Sequence, residues 1–347
     1  MSKYLNKTNL ARTIAITTLF SLGLALTACI PFSDQTQNNS PQQANNQRAP
    51  SGKDADNIAE QSAKFGSDAK PGHFPREVTH AMGSTTITSE PKRVVVLETG
   101  ELDSVLAMGL KPVGITTTKG SEPVPSYLAD RVKDVATVGT VNEINVEKIA
   151  ELHPDLILGT QLRAEKLYPQ LSAIAPTVFG IRPGFTWKEN FLLAGAALGR
   201  EDKAKEVLAH YDHAATNIKE RIEPGTKVTM VRFLPDKLRL YAHKSLIGTV
   251  LCDAGFARPK SQDVDQLATE ISPEEIDKTD ADYIFYSSYG DPDATGENKI
   301  VSSSAWQNLQ ATKKGHVHRV DDGLWGLGLG PVGATKIIEL LGDFIKH

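Results

Sequence analysis

A twelve-residue segment is echoed later in the chain, and this constrains the fold more than anything else in the sequence. Glu147-Lys148-Ile149-Ala150-Glu151-Leu152-His153-Pro154-Asp155-Leu156-Ile157-Leu158 aligns without a gap to Glu274-Glu275-Ile276-Asp277-Lys278-Thr279-Asp280-Ala281-Asp282-Tyr283-Ile284-Phe285. Glu147/Glu274, Ile149/Ile276, Asp155/Asp282 and Ile157/Ile284 coincide. With one gap, Val105–Pro112 echoes Val250–Pro259. Each match alone is weak, because helix–turn–strand units look alike. In the same order on both sides of a helical stretch, they point to a duplicated lobe.

The pattern around the echoes is α/β. Val94–Leu97 is a continuous apolar run, as expected of a strand buried on both faces. Strands are also expected at Lys111–Thr116, Leu156–Gly159 and Thr177–Gly180, with short helices at Ser104–Gly109, Val146–Leu152 and Tyr168–Ile174 between them. From Trp187 to Ile222 apolar residues recur every three or four positions, until Pro224-Gly225. This reads as a long helix, with a break allowed at Gly199-Arg200; unbroken, it would span about 50 Å. Strands then resume at Lys227–Phe233 and Leu238–Ala242. The expected fold is α/β: two Rossmann-like lobes joined by a single long backbone helix. The lobes are placed at 73–186 and 224–347, with the linking helix at 187–223. A cleft between two such lobes is a favoured ligand site.

The first seventy residues are different. Lys3, Lys7 and Arg12 precede any acid, and an apolar stretch from Ile14 to Ala28 is too short and too polar for a comfortable membrane span. It ends Leu26-Thr27-Ala28-Cys29, which matches the lipobox of bacterial lipoproteins. Residues 1–28 are therefore read as a signal peptide and Cys29 as the lipidated first residue, a membrane anchor on the exported side. Residues 29–72, rich in Gln, Asn, Ser and Pro, are read as a disordered tether. The other cysteine, Cys252, lies in an apolar run and reads as a buried core residue. Losing the leader takes the formal net charge from −4 to −7. No sequence-wide basic field invites nucleic acid.

Catalytic signatures are scarce. No G-x-S-x-G, H-E-x-x-H, Walker A or C-x-x-C motif is present. Gly326-Leu327-Gly328-Leu329-Gly330 hints at a dinucleotide loop, but no clear first strand precedes it. His316 with His318, and His210 with His213, have metal-pair spacing without a third ligand, and surface positions are the better reading. What does stand out is a set of arginines and aromatics just past strand ends, where open α/β sheets bind ligands. Arg163, Arg182, Arg232, Tyr286, Tyr289 and Trp325 form this set. Guanidinium groups suit anionic oxygens, and the aromatics offer flat area with a polar handle. Together they suit a compact organic anion or chelate.

Several segments match a known family. They are His80-Ala81-Met82-Gly83, Pro91-Lys92-Arg93-Val94-Val95-Val96-Leu97, Ile149–Ile157, Leu171-Ser172-Ala173-Ile174-Ala175-Pro176-Thr177-Val178 and Trp187-Lys188-Glu189-Asn190. From about Val78 onward the chain resembles the siderophore-binding lipoproteins of bacterial iron-uptake ABC transporters, in the group with ferric-hydroxamate and vitamin B12 binding proteins. The resemblance implies a non-enzymatic, monomeric binding protein with no intrinsic cofactor and no protein ligand to metal. A ferric siderophore, of hydroxamate or carboxylate type, would be its transported ligand. It implies ligand contacts at Arg163, Arg232 and Trp325, whereas Arg182, Tyr286 and Tyr289 rest on the strand-end argument alone. It implies that Glu147 and Glu274, the duplicated pair, dock on the permease subunits. Lys119 and Lys244 keep a catecholate chelate open. The alternatives are a corrinoid, haem or other metal-chelate binder of the same class, and a secreted α/β hydrolase.

Overall fold

The computed structural model describes residues 53–118 and 122–345. The leader, Cys29, Lys119 and the tether up to residue 52 lie outside the described residues. The N-terminal lobe is a six-stranded sheet in the order β6-β5-β4-β3-β7-β8. It is preceded by an antiparallel hairpin of β1 (Arg76–His80) and β2 (Gly83–Ile87). Its strands are β3 (Val94–Val96), β4 (Gly114–Thr117), β5 (Ala136–Thr140), β6 (Glu143–Ile144), β7 (Leu156–Thr160) and β8 (Thr177–Gly180). All neighbours in this sheet are parallel except β5 and β6. The C-terminal lobe is a five-stranded sheet in the order β11-β10-β9-β12-β13. Its strands are β9 (Val228–Leu234), β10 (Lys237–Tyr241), β11 (Ala268–Ile271), β12 (Tyr283–Ser288) and β13 (Val317–Arg319). Here β9, β12 and β13 are parallel, while β10 and β11 run antiparallel.

The duplication is real at atomic detail. Asp155 accepts the N–H groups of Lys92 and Arg93 at 2.8 Å each, and Asp282 accepts the N–H of Lys227 at 2.8 Å. Both carboxylates therefore pin the entry of the first parallel strand of their lobe. The second echo behaves alike: helices Thr99–Ala107 and Leu246–Asp253 end at left-handed Gly109 and Gly255. Positive φ is what glycine permits without a Cβ clash.

The linking segment departs from a single rod. It is two helices, Trp187–Leu198 and Glu201–Lys219, parted by Gly199 at φ 67°. Trp187 packs edge-on against Tyr211, Lys188 Nζ bonds Asp212, and a Cβ on Gly195 would lie 2.9 Å from that of Ala204. Residues equidistant from Gly199 thus face each other, so the two helices form an antiparallel hairpin. The second still serves both lobes. Its Ala204 is buried in the N-terminal core, while Tyr211, Ala215 and Ile218 belong to the C-terminal core.

Two further expectations change. The chain is ordered well before residue 72: Lys53–Ser62 is helical, and Gly66 pairs with Thr79 in an antiparallel bridge. Phe65 and Phe74 pack on the N-terminal core, and buried Arg76 donates to the carbonyls of Lys70 and Ala196 and to Glu201. Cys252 is exposed rather than buried. The 3.6-residue period of its helix turns Leu246, Ile247, Val250 and Leu251 inward and Cys252 out.

The glycine run Gly326–Gly330 is the seam between the lobes. A Cβ on Gly330 would sit 2.6 Å from Asp103 Cβ, and one on Gly100 would sit 3.0 Å from the Leu329 carbonyl. Asp103, wholly buried in the N-terminal lobe, accepts the N–H groups of Val332 and Gly333 at 2.7 and 2.9 Å. These begin the C-terminal helix Pro331–Phe344. Tyr127 donates its hydroxyl to the same carboxylate at 2.7 Å. The glycines allow the backbones to approach, rather than cradling a phosphate.

Candidate functional site

Each lobe ends its parallel strands at the cleft, and the strand ends carry the charge. Glu98 lies two residues past the end of β3. Its Oε1 accepts the N–H of Thr99 and so caps the helix Thr99–Ala107. Its Oε2 accepts from Arg163 Nε at 2.7 Å. Arg163 stands in a short helix just past β7 and also reaches Asn142 Oδ1 at 3.4 Å. About a third of its side chain, 32 %, stays exposed.

Arg182 follows β8 and is half-buried. Among the described residues no ion pair joins it to an acid; its Nε donates to the Pro183 carbonyl at 3.4 Å. Burial, and then the like charge of Arg163, pull its guanidinium down to about 10. Arg182 Cζ lies 5.5 Å from the ring centre of Phe185. Lys244 Nζ, from the loop after β10 in the other lobe, lies 5.6 Å from the same ring. Cations of both lobes therefore approach one aromatic ring.

Arg232 is paired instead. Its Nε and Nη2 donate to the two carboxylate oxygens of Asp322 at 2.7 and 2.5 Å, and its Nη1 to Tyr241 at 3.2 Å. Burial works against its charge, but Tyr241 and Asp322 more than offset this and hold its pKa above the ordinary value. The ring of Tyr289 lies 4.5 Å from the guanidinium carbon. Ser287 also donates to Asp322, at 2.8 Å. This is a rigid floor rather than an exposed cation. Beside it a cavity of about 150 Å³ opens between the lobes, lined by Glu122 and Pro125 on one side and by Ser288, Arg319, Asp321 and Asp322 on the other.

Two members of the expected set lie elsewhere. Trp325 is 2 % exposed and stacks on Phe285 at 4.8 Å, inside the C-terminal core. Tyr286 packs edge-on against Phe233 and Trp306, on the layer behind the sheet. Alternation along β12 explains the second, since Ser287 and not Tyr286 faces Arg232 and Asp322. The structure thus sets Arg182 near Arg163 and Tyr289 against Arg232, each past a strand end, and adds Glu98, Phe185 and Asp322 as their neighbours, which no motif had flagged. Glu147 and Glu274 are exposed, each in the first turn of its short helix. His316 stacks flat on Tyr283 at 4.5 Å and His318 on Phe285 at 5.5 Å, so both rings serve packing. His210 and His213 are exposed.

Residues 94–324 match the periplasmic binding protein family, and the match runs across both lobes. The chain belongs to the periplasmic binding protein family. Members of this family and the relatives found are binding proteins rather than enzymes. "Probable siderophore-binding lipoprotein YfiY" of Bacillus subtilis is 41 % identical over 278 residues, 76 % of this chain and 86 % of the relative. The Fe(3+)-citrate-binding protein YfmC of the same organism is 32 % identical, over 70 % of this chain and 77 % of the relative. Among solved periplasmic binding proteins, Staphylococcus aureus SirA complexed with staphyloferrin B superposes with a TM-score of 0.68 at 34 % identity. That superposition covers 78 % of this chain and 98 % of SirA. Among the described residues, no helix of this family member is long and apolar enough to cross a membrane.

Proposed function

We propose that this chain captures a ferric siderophore in the cleft between its lobes and delivers it to an ABC permease. In this reading it is lipid-anchored at Cys29 and has no intrinsic cofactor. The observation that carries the reading is Arg182, a half-buried cation beside Arg163 with no acid to answer it. Such a group is stabilised by an incoming anion and by little else. Ferric citrate, for which the relative YfmC is named, supports a carboxylate-bearing chelate. Iron would remain inside the chelate as cargo. Arg163 and Arg182 would take the anionic oxygens, and Tyr289 over Arg232 would form the floor.

The test is quenching of tryptophan fluorescence in the purified protein by ferric citrate, a ferric hydroxamate and a ferric tris-catecholate, each against its iron-free form. Binding of a carboxylate-bearing ferric chelate at or below about 1 μM, roughly −8 kcal/mol, is expected. If no ferric chelate binds at that level, the reading fails.

Glu147 and Glu274 are the proposed contacts to the permease, because they are exposed and occupy equivalent places on the two lobes. The double variant Glu147→Ala/Glu274→Ala should keep its chelate affinity to within about twofold, since neither residue is among those proposed to hold the chelate. Iron uptake by cells carrying it should fall by about tenfold or more, as rim charges steer docking. Loss of chelate binding in that variant would refute the docking role.

A further inference from the structure

Near Arg163 lies a second carboxyl that the binding reading does not use. Glu101 sits one turn into the helix Thr99–Ala107, is 5 % exposed, and its Oε2 has no hydrogen-bond partner. Thr160, at the end of β7 beside Glu98, is wholly buried, and its hydroxyl also lacks a partner. The charged groups acting on Glu101 are Glu98 at the end of β3 and Arg163 past β7. Asp103, two residues on, is engaged by Tyr127 and by the N–H groups of Val332 and Gly333. At the far end of this helix Arg131 donates to the Leu106 carbonyl at 2.6 Å and Arg200 to the Met108 carbonyl at 3.3 Å, while Phe191 and Ala194 from the helical hairpin and Val332 from the C-terminal helix bring apolar groups.

Two carboxyls therefore lie near one arginine, and the inner one, Glu101, is closed off from water. Glu98 uses both oxygens, one on Arg163 and one on the helix cap. Burial, reinforced by Glu98, pushes the Glu101 carboxyl up to about 8, against the pull of its own N–H and of Arg163. With Glu101 neutral, Arg163 and Arg182 leave a net positive end to the cleft. With Glu101 ionised, two carboxylates surround Arg163 and that end loses a charge.

We propose that Glu101 is a positioning residue that acts through Arg163, and that holding an anionic chelate is coupled to holding a proton on Glu101. The inference rests on the anion-binding reading above and adds to it a proton partner. By linkage, an anion at Arg163 raises the proton affinity of Glu101, so binding above neutral pH takes up protons and affinity falls as pH rises through the same range.

Calorimetric titration of the purified protein with ferric citrate, at pH 8.5 in two buffers of different ionisation enthalpy, measures this uptake. The wild type should take up more protons per bound chelate than Glu101→Gln, by about half a proton, as expected for a group near its midpoint. The ratio of wild-type to variant affinity should fall by about tenfold between pH 6.5 and 9, the effect of one added charge near a bound anion. Comparing the two proteins at each pH cancels titration of the chelate itself. A second measurement needs no variant: at pH 8.5 the infrared band of a protonated carboxyl should grow in the wild type when ferric citrate is added. Equal proton uptake and a constant affinity ratio, or no change in that band, overturns the inference while leaving the binding function intact. Absence of ferric citrate binding at every pH takes down the carboxylate-chelate reading and this inference together.

Discussion

Arg182→Ala should weaken binding of a carboxylate-bearing ferric chelate by about 10- to 100-fold, the cost of one charge-assisted hydrogen bond of about 1.5–3 kcal/mol, and should not destabilise the fold. The two halves of this expectation come from the same geometry. Arg182 gives the folded chain one long bond to a carbonyl and contact with Phe185, and meets the like charge of Arg163. Removing it relieves a desolvated cation, so thermal melting without ligand should hold steady or rise. A residue kept for structure would behave in the opposite way. Arg163→Ala is a less clean companion, because it strips Glu98, 3 % exposed, of its partner. It should lose affinity and stability together, since an unpaired buried carboxylate is costly. Fluorescence titration alongside thermal melts of the two variants separates the cases. If Arg182→Ala keeps its affinity for every ferric chelate that binds the wild type, the cleft assignment is wrong.

The two arginines also show where the sequence could be read and where it could not. Duplication of Glu147–Leu158 in Glu274–Phe285 was legible because Asp155 and Asp282 do one job, pinning a strand entry through backbone N–H groups. Such a job tolerates few substitutes, so it leaves a motif. Arg163, Arg182 and Arg232 were legible as strand-end cations, but their partners were not. Asp322 is ninety residues from Arg232, and Glu98 is sixty-five from Arg163. Nothing local to a strand end says whether its arginine is already paired, and that pairing decides which cation can meet a ligand. Trp325 and Tyr286 pack into apolar layers for a related reason. Proximity to a strand end does not fix which side of the sheet a ring takes, and Phe285 or Phe233 with Trp306 offered each a dry aromatic neighbour. Gly199 was visible as a break. That the chain reverses there depends on contacts such as Trp187 with Tyr211, which periodicity does not specify.

Asp103→Ala should be the most destabilising single change at the seam between the lobes. The carboxylate answers three donors, the N–H groups of Val332 and Gly333 and the Tyr127 hydroxyl, in a place with no access to solvent. Alanine leaves all of them unpaired, and at about 1–3 kcal/mol for a buried orphan the loss should reach about 3 kcal/mol or more. Thermal melting followed by circular dichroism should show Tm lower by roughly 5–10 °C. Asp103→Asn keeps one accepting oxygen and should fall between. The same variants report on pH. Burial raises the Asp103 carboxyl from 3.8 to about 6, and that of Glu101 from 4.5 to about 8. The folded chain therefore binds more protons than the unfolded one across this range, so both groups make stability fall as pH rises from about 4 to about 8. Asp103→Asn should reduce that slope between about pH 4 and 6 by the Asp103 share and leave the Glu101 share, which runs on to about pH 8. An Asp103→Ala protein melting within about 1 °C of wild type would mean that the helix start at Pro331 is held by packing of its glycine seam alone.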